Sequence, residues 1–371
     1  MNWKIEGLKK FDSIFGRLAC SVSRLAVSPR KWVNKDNPKI LVIRPGGIGD
    51  GVLLFPALKE LREEFPDSDI DILAEKRNAG ILTICPSVSN VISYDITPVV
   101  TLYKTVKGNY DIVIDTEQWH RLTAAVSYLT KAALRIGFAT NERANLYTQS
   151  VTYKQEDYEV YSFLNLISAV TGKEYQFDEN KPFIPLDSNS HSEIVSSLSD
   201  FKKGKSGLVG VFAGATVPER RWGTNNFADL SKELSEGGLG IVLIGGKVDL
   251  EDAIKFKEII GSKNVLDYVG LTSLSQTALI ISKLDLFVTG DAGLMHISYG
   301  VGTPTVSLFG AGIEGKWAPQ GEKHIAINKN LSCSPCTKFG YTPRCPYNVK
   351  CLSDIKVQEV KDAVMNILPP L

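Results

Sequence analysis

Short apolar runs that end in a turn and give way to helix-spaced patterns recur along this chain, and that alternation limits its fold more than any other feature. Ile40-Leu41-Val42-Ile43 runs into Arg44-Pro45-Gly46-Gly47, and Val52 to Phe65 then carries helical spacing. Ile70 to Ala74 and Tyr110 to Asp115 read as further strands, and Arg121 to Lys131 as a helix. Strands separated by helices predict a parallel sheet with helices on both faces. After a polar, turn-rich stretch the alternation restarts. Leu208 to Phe212 is a strand, Phe227 to Leu234 a helix, and Gly240 to Ile244 a strand ending in Gly245-Gly246. Leu284 to Val288 and Thr305 to Phe309 are two more strands. A chain of 371 residues is long enough for two cores. The expected fold is therefore α/β, with two Rossmann-like doubly wound domains facing a central cleft and ligands at the carboxyl ends of the strands. The expected boundaries are a basic amphipathic segment at 1–37, a first domain at 38–180, a linker at 181–206 with a helix near Ser190 to Leu198, a second domain at 207–355 and a C-terminal helix at 356–371.

Charge and hydropathy narrow the function classes. A net charge of +1 gives no global bias toward nucleic acid. No uninterrupted apolar run reaches the roughly 18 residues that a membrane-spanning helix needs. Charges at Glu6, Lys9, Lys10, Asp12 and Arg17 interrupt any export-signal core, and the six cysteines read as those of a reducing cytoplasm. Residues 1–37 carry eight Lys/Arg against three acids, and Phe11, Ile14, Phe15, Leu18, Val22 and Leu25 recur at helical spacing. Such a helix can lie on an anionic membrane, at the inner face of the cytoplasmic membrane, or can pack on the domain with its basic side in water. The sequence leaves both open.

The turn at Arg44-Pro45-Gly46-Gly47-Ile48-Gly49-Asp50-Gly51 resembles a dinucleotide loop but fails the G-x-G-x-x-G spacing, since Val52 and Leu54 stand at the final place in the two frames. A Walker lysine is absent as well. Asp50 is the unusual residue, because a loop built only for phosphate would not place a carboxylate at its tip. On spacing alone it is either a helix cap or a general base facing a cleft.

These residues, followed by Leu53-Leu54-Phe55-Pro56-Ala57-Leu58, resemble the opening motif of glycosyltransferase family 9, the heptosyltransferases. Asp115 through Arg121, with Arg135-Ile136-Gly137-Phe138, is similar to a weaker middle motif. Ala213-Gly214-Ala215-Thr216 through Arg220-Arg221-Trp222 resembles the nucleotide-side motif, and Gly290-Asp291-Ala292-Gly293-Leu294-Met295-His296 with Gly302-Thr303-Pro304 resembles the family's most specific signature. The resemblance implies a GT-B fold, an inverting transfer with Asp50 as base, a donor on the C-terminal domain and an acceptor on the N-terminal one. It also implies ADP-heptose as donor and a lipid-linked or lipopolysaccharide glycan as acceptor, with no cofactor. The same fold would also serve a transferase for another nucleotide sugar, a nucleotide-sugar epimerase, or a non-catalytic sensor at the membrane surface.

Thr216, Arg220 and Arg221 carry the hydroxyl and guanidinium groups that neutralise a departing diphosphate without a metal. The family usually has lysine where Arg220 stands. Gly293 and Leu294 would offer helix N-terminal amides, His296 a side-chain donor and Asp291 an acceptor for sugar hydroxyls. Ala292 replaces the family's frequent threonine. Asp249, with Glu251 as fallback, stands where the family often sets an acid against the ribose. On the acceptor side the candidates are Gly47, Gly49, Arg44, Arg121, Arg135 and Arg143, the arginines matching an acidic sugar. Cys333, Cys336, Cys345 and Cys351 form a C-x2-C-x8-C-x5-C series, whose first pair has zinc-ligand spacing and whose second does not. Free thiols are the favoured reading, and no metal is expected.

Overall fold

The computed structural model describes residues 36–94, 99–186 and 191–368, together with Asp12, Gly16, Arg17 and Cys20. It divides into two compact units, Met1–Phe177 and Asp178–Leu371. The apolar positions of the amphipathic pattern expected in residues 1–37 lie outside the described residues, which in that segment are those four with Asp36 and Asn37. Of these, Asp12 accepts hydrogen bonds from the Arg121 and Leu122 amides at 2.8 Å each, and Cys20 is buried beside Ala124, Ala125 and Tyr128.

In unit 1 the strands are β1 (Ile40–Arg44), β2 (Ile70–Glu75), β3 (Asn90–Tyr94), β4 (Ile112–Asp115), β5 (Leu134–Phe138) and β6 (Gln149–Val151). They form one all-parallel sheet in the order β3-β2-β1-β4-β5-β6. The first four residues of β1 are apolar and fully buried, as expected for a central strand covered on both faces. Helices α1 (Ile48–Leu53), α2 (Phe55–Glu64), α3 (Lys76–Leu82), α4 (Val99–Val106), α5 (Arg121–Leu129) and α6 (Glu159–Thr171) supply the crossovers and flanks. The single helix expected over Val52–Phe65 is two. Pro56 has no N–H to donate to Val52, so the ladder breaks at Leu54 and restarts with proline in the first turn of α2.

Unit 2 repeats the plan. It begins with α7 (Ser192–Lys202), then β7 (Leu208–Phe212), α8 (Thr224–Glu236), β8 (Gly240–Leu243), α9 (Leu250–Ile260), β9 (Val265–Asp267), α10 (Leu274–Ser282) and β10 (Leu286–Gly290). It continues through α11 (Gly293–Gly300), β11 (Thr305–Phe309), α12 (Glu314–Trp317), β12 (His324–Asn328), α13 (Lys350–Ser353) and α14 (Val357–Ile367). Its parallel sheet runs β12-β11-β10-β7-β8-β9. Val360, Ala363 and Val364 of α14 join the main core, and Trp222 Nε1 donates to Ile355 O at 2.9 Å.

Each sheet reverses its winding at one place, between β1 and β4 in unit 1 and between β7 and β10 in unit 2. Loops leaving adjacent strands there diverge to opposite faces and open a crevice at the carboxyl ends. Among the described residues no helix is long and apolar enough to cross a membrane.

Candidate active site

At the unit 1 switch point, β1 ends in Arg44 and β4 in Asp115, with Ile43 in register opposite Asp115. Asp50 sits in the first turn of α1, not at a loop tip. Its Oδ2 accepts the Gly47 amide at 3.3 Å, and its Oδ1 lies 3.9 Å from Arg44 Nη2. The side chain is 26% exposed, which leaves the carboxylate accessible. Helix capping and an open face therefore coexist in one residue, because a carboxylate has more acceptor positions than a single distant amide fills. Gly47 and Gly49 form the turn and first helical residues that carry it.

Behind Asp50 lies a buried polar network that the strand pattern does not announce. Arg44 is 1% exposed. Its Nε donates to Pro45 O at 2.6 Å and its Nη1 to Thr116 O at 2.9 Å, while Nη2 stands 3.6 Å from Glu117 Oε2. Glu117 accepts the Trp119 and His120 amides on its other oxygen, at 3.0 and 3.2 Å. Burial alone would raise its carboxyl pKa, but His120, Arg44, Arg143 and the Trp119 amide outweigh it and hold the value at about 2. A carboxyl depressed in this way stabilises the fold above the ordinary carboxylate range and loses that contribution as pH falls toward about 2. Deeper still, Arg143 pairs with Asp115 at 2.7 Å, both side chains being wholly buried. Tyr147 donates to the same Asp115 oxygen at 2.7 Å, and Arg143 also reaches the Glu117 carbonyl. Glu159 accepts from Gln118 Nε2 at 2.5 Å and Tyr153 OH at 3.0 Å.

The four arginines expected to meet an acidic acceptor are thus spent inside unit 1. Arg121 binds Glu142 at 2.7 Å. Arg135 donates to the Ala132 and Leu146 carbonyls at 2.6 and 3.1 Å. Arg44 and Arg143 hold the network just described. Residue type marked them as cationic, but it could not reveal that each had an internal acceptor already.

At the unit 2 switch point the loop after β7 meets the loop after β10. Arg220 Nη1 lies 3.2 Å from Asp291 Oδ2, with the arginine 23% and the aspartate 6% exposed. The Arg220 Nε–H has no hydrogen-bond acceptor among the described residues. Thr216 is exposed in the same loop. Asp291 does not cap the helix. Ala292 is the N-cap residue and α11 begins at Gly293, so the amides of Gly293 and Leu294 fall in its first turn, ahead of the intrahelical ladder. His296 is buried one turn on, with its ring against Trp317. Arg221 diverges from Arg220, donating to Ala215 O and, at 3.1 Å, to Asp252 Oδ2. Asp249 precedes α9, accepts the Gly246 amide at 2.8 Å and packs against Gly214 of the β7 loop. Burial raises its pKa, partly offset by the Gly246 amide and Arg221. Glu251 is exposed on the first turn of α9.

A Cβ built on Gly312 would overlap Asp291 Oδ2. Gly312→Ala should therefore push Asp291 off Arg220 and weaken the affinity of this switch point for a diphosphate roughly tenfold, about 1.4 kcal/mol. Titration calorimetry of the variant measures this, and unchanged affinity would show that the pair has no part in binding.

All six cysteines are free. Cys345 Sγ accepts the Tyr347 and Val349 amides at 3.4 Å each, and burial raises the Cys336 and Cys351 thiols. Among the described residues no three His, Cys, Asp or Glu side chains are grouped so as to hold a metal ion.

Two doubly wound units, each with its polar constellation at a switch point, make up the GT-B architecture of nucleotide-sugar glycosyltransferases. Structures of the same fold include the ADP-heptose lipopolysaccharide heptosyltransferase II of Escherichia coli, 22% identical, with a TM-score of 0.70 over 89% of this chain and 98% of that one. Another is a family 9 glycosyltransferase from Veillonella parvula, 21% identical, TM-score 0.74, over 91% and 98%. In sequence the chain is 23% identical to lipooligosaccharide heptosyltransferase 2 of Haemophilus influenzae over 73% of this chain and 83% of that protein. Residues 99–343 match the family model of glycosyltransferase family 9 (heptosyltransferase), and the chain belongs to that family of enzymes.

Proposed function

We propose that the protein transfers heptose from ADP-heptose to a hydroxyl of a lipopolysaccharide core glycan, with inversion at the anomeric carbon. The observation that carries this reading is the split of chemistry between the two switch points. At its switch point unit 1 presents the accessible carboxylate of Asp50, and unit 2 presents Arg220, Asp291 and the amides of α11. The names of the relatives, heptosyltransferases of lipopolysaccharide and lipooligosaccharide, supply the sugar and the acceptor class. Such an acceptor is lipid-anchored, so the enzyme works at the inner face of the cytoplasmic membrane.

In this mechanism Asp50 accepts the proton of the acceptor hydroxyl. The oxygen then attacks the anomeric carbon as the bond from that carbon to the diphosphate breaks, and ADP leaves with the bonding pair. Arg220, Thr216 and the Gly293 and Leu294 amides take up the charge that develops on the leaving diphosphate. That donor set suits phosphate oxygens, so no metal or other cofactor is needed. Asp291 orients the Arg220 guanidinium and faces sugar hydroxyls, and Asp249 faces the ribose.

The test is calorimetry with ADP-heptose beside the UDP-, GDP- and CDP-sugars. Selective binding of ADP-heptose is expected, and Arg220→Ala should weaken it roughly tenfold to a hundredfold, the loss of a charged hydrogen bond. Selective binding of another nucleotide sugar would overturn the donor, and undiminished affinity in Arg220→Ala would overturn the role of that residue.

A further inference from the structure

One nitrogen of Arg44 serves two carboxylates. Nη2 donates to Gln118 Oε1 at 3.5 Å and lies 3.6 Å from Glu117 Oε2 and 3.9 Å from Asp50 Oδ1, while the other two nitrogens are held by the Thr116 and Pro45 carbonyls. Phe163 packs under the guanidinium, its ring centre 5.5 Å away. The arrangement is unequal. Glu117 is 8% exposed and pinned by two backbone amides, whereas Asp50 is 26% exposed and holds a single long hydrogen bond. Charges interact more strongly on the buried side, where water screens them less. The positive charge of Arg44 is thus largely answered from within.

We propose that Glu117 and Arg44 are positioning residues that set the charge around Asp50, with Glu117 answering the Arg44 guanidinium from its buried side. The inference rests on the assignment of Asp50 as the base. Without Glu117, Asp50 would be the carboxylate left at Arg44 Nη2, beside the neutral Gln118 amide, and the guanidinium would favour its ionised form. Without Arg44, Asp50 would stand near Glu117 with no cation between them and would take up a proton more readily. Among the described residues the Tyr153 phenol, beyond β6, also bears on Asp50, and Glu159 of α6 accepts that phenol's hydrogen bond. His120 acts on Glu117 from the start of α5. All remain in both variants.

The experiment is the pH profile of kcat/KM for the full chain with ADP-heptose and a core glycolipid acceptor. Its acid limb reports the essential base of the free enzyme. Glu117→Gln should move that limb down by about one pH unit and lower kcat several-fold at neutral pH, and Arg44→Met should move it up by a similar amount. Arg44→Lys, which keeps the charge, should restore most of the limb position. ADP-heptose affinity, assigned to unit 2, should hold in every variant and so report folding. Opposed shifts are not produced by general loosening of the structure. A limb that stays put in both variants, or moves the same way in both, overturns the proposal. An Asp50→Asn control separates the two readings, since full turnover there defeats the base assignment itself.

Discussion

Asp50→Asn should lower kcat by about a thousandfold, within the range that a general base contributes, and leave ADP-heptose affinity within about twofold of the parent. The amide keeps the size of the side chain and can still accept the Gly47 N–H through its carbonyl oxygen, so the first turn of α1 should persist. What it loses is the capacity to take a proton. Because Asp50 lies in unit 1 and the donor is assigned to unit 2, the two measurements should separate. A parallel loss of donor affinity and turnover would mean that the substitution acts through folding. Undiminished turnover would mean that another group accepts the proton.

The largest effect on stability should come from Arg143→Met. Arg143 and Asp115 are wholly buried and paired at 2.7 Å, and Tyr147 shares the same carboxylate oxygen. Removing the arginine strands an anion in the interior, with the Tyr147 OH and the Glu117 amide left to satisfy it among the described residues. Breaking such a pair from one side costs about 3–5 kcal/mol. For a unit of this size that corresponds to a melting shift of roughly 10 °C, read by scanning calorimetry. The double variant Arg143→Met with Asp115→Asn should recover a good part of the loss, because it removes the stranded charge as well. A single variant that melts with the parent would show that the pair contributes little.

The central strands of both sheets were legible because parallel strands buried on two faces are almost wholly apolar, as in Ile40–Ile43 and Leu286–Val288. The glycine-bearing turns after β1 and β10 mark where backbone changes direction, and with the family resemblance they single out Asp50 and Asp291 as candidates. Pro56 could have placed the break between α1 and α2, since proline cannot continue a helical ladder. The buried network was not legible. Arg44 and Glu117 are separated by 73 positions in sequence and meet only because β1 and β4 are neighbours in the sheet. Composition cannot distinguish an arginine that awaits an anionic ligand from one already answered by a carboxylate or a carbonyl. The same limit applied to Arg121 and Arg135, whose partners lie 21 and up to 11 residues away. Short amphipathic pieces such as β3 and β6, only partly buried, lacked the continuous apolar signal that exposed the central strands.

The measurement that bears most directly on the proposed activity is transfer itself. The purified chain would be incubated with ADP-heptose and a heptose-deficient core glycolipid in the presence of a metal chelator, and the acceptor followed by mass spectrometry. Addition of a single heptose to the glycolipid, with release of ADP in equal amount, is the predicted result. Tight ADP-heptose binding with an acceptor that gains no sugar, or transfer that needs an added metal, would contradict it.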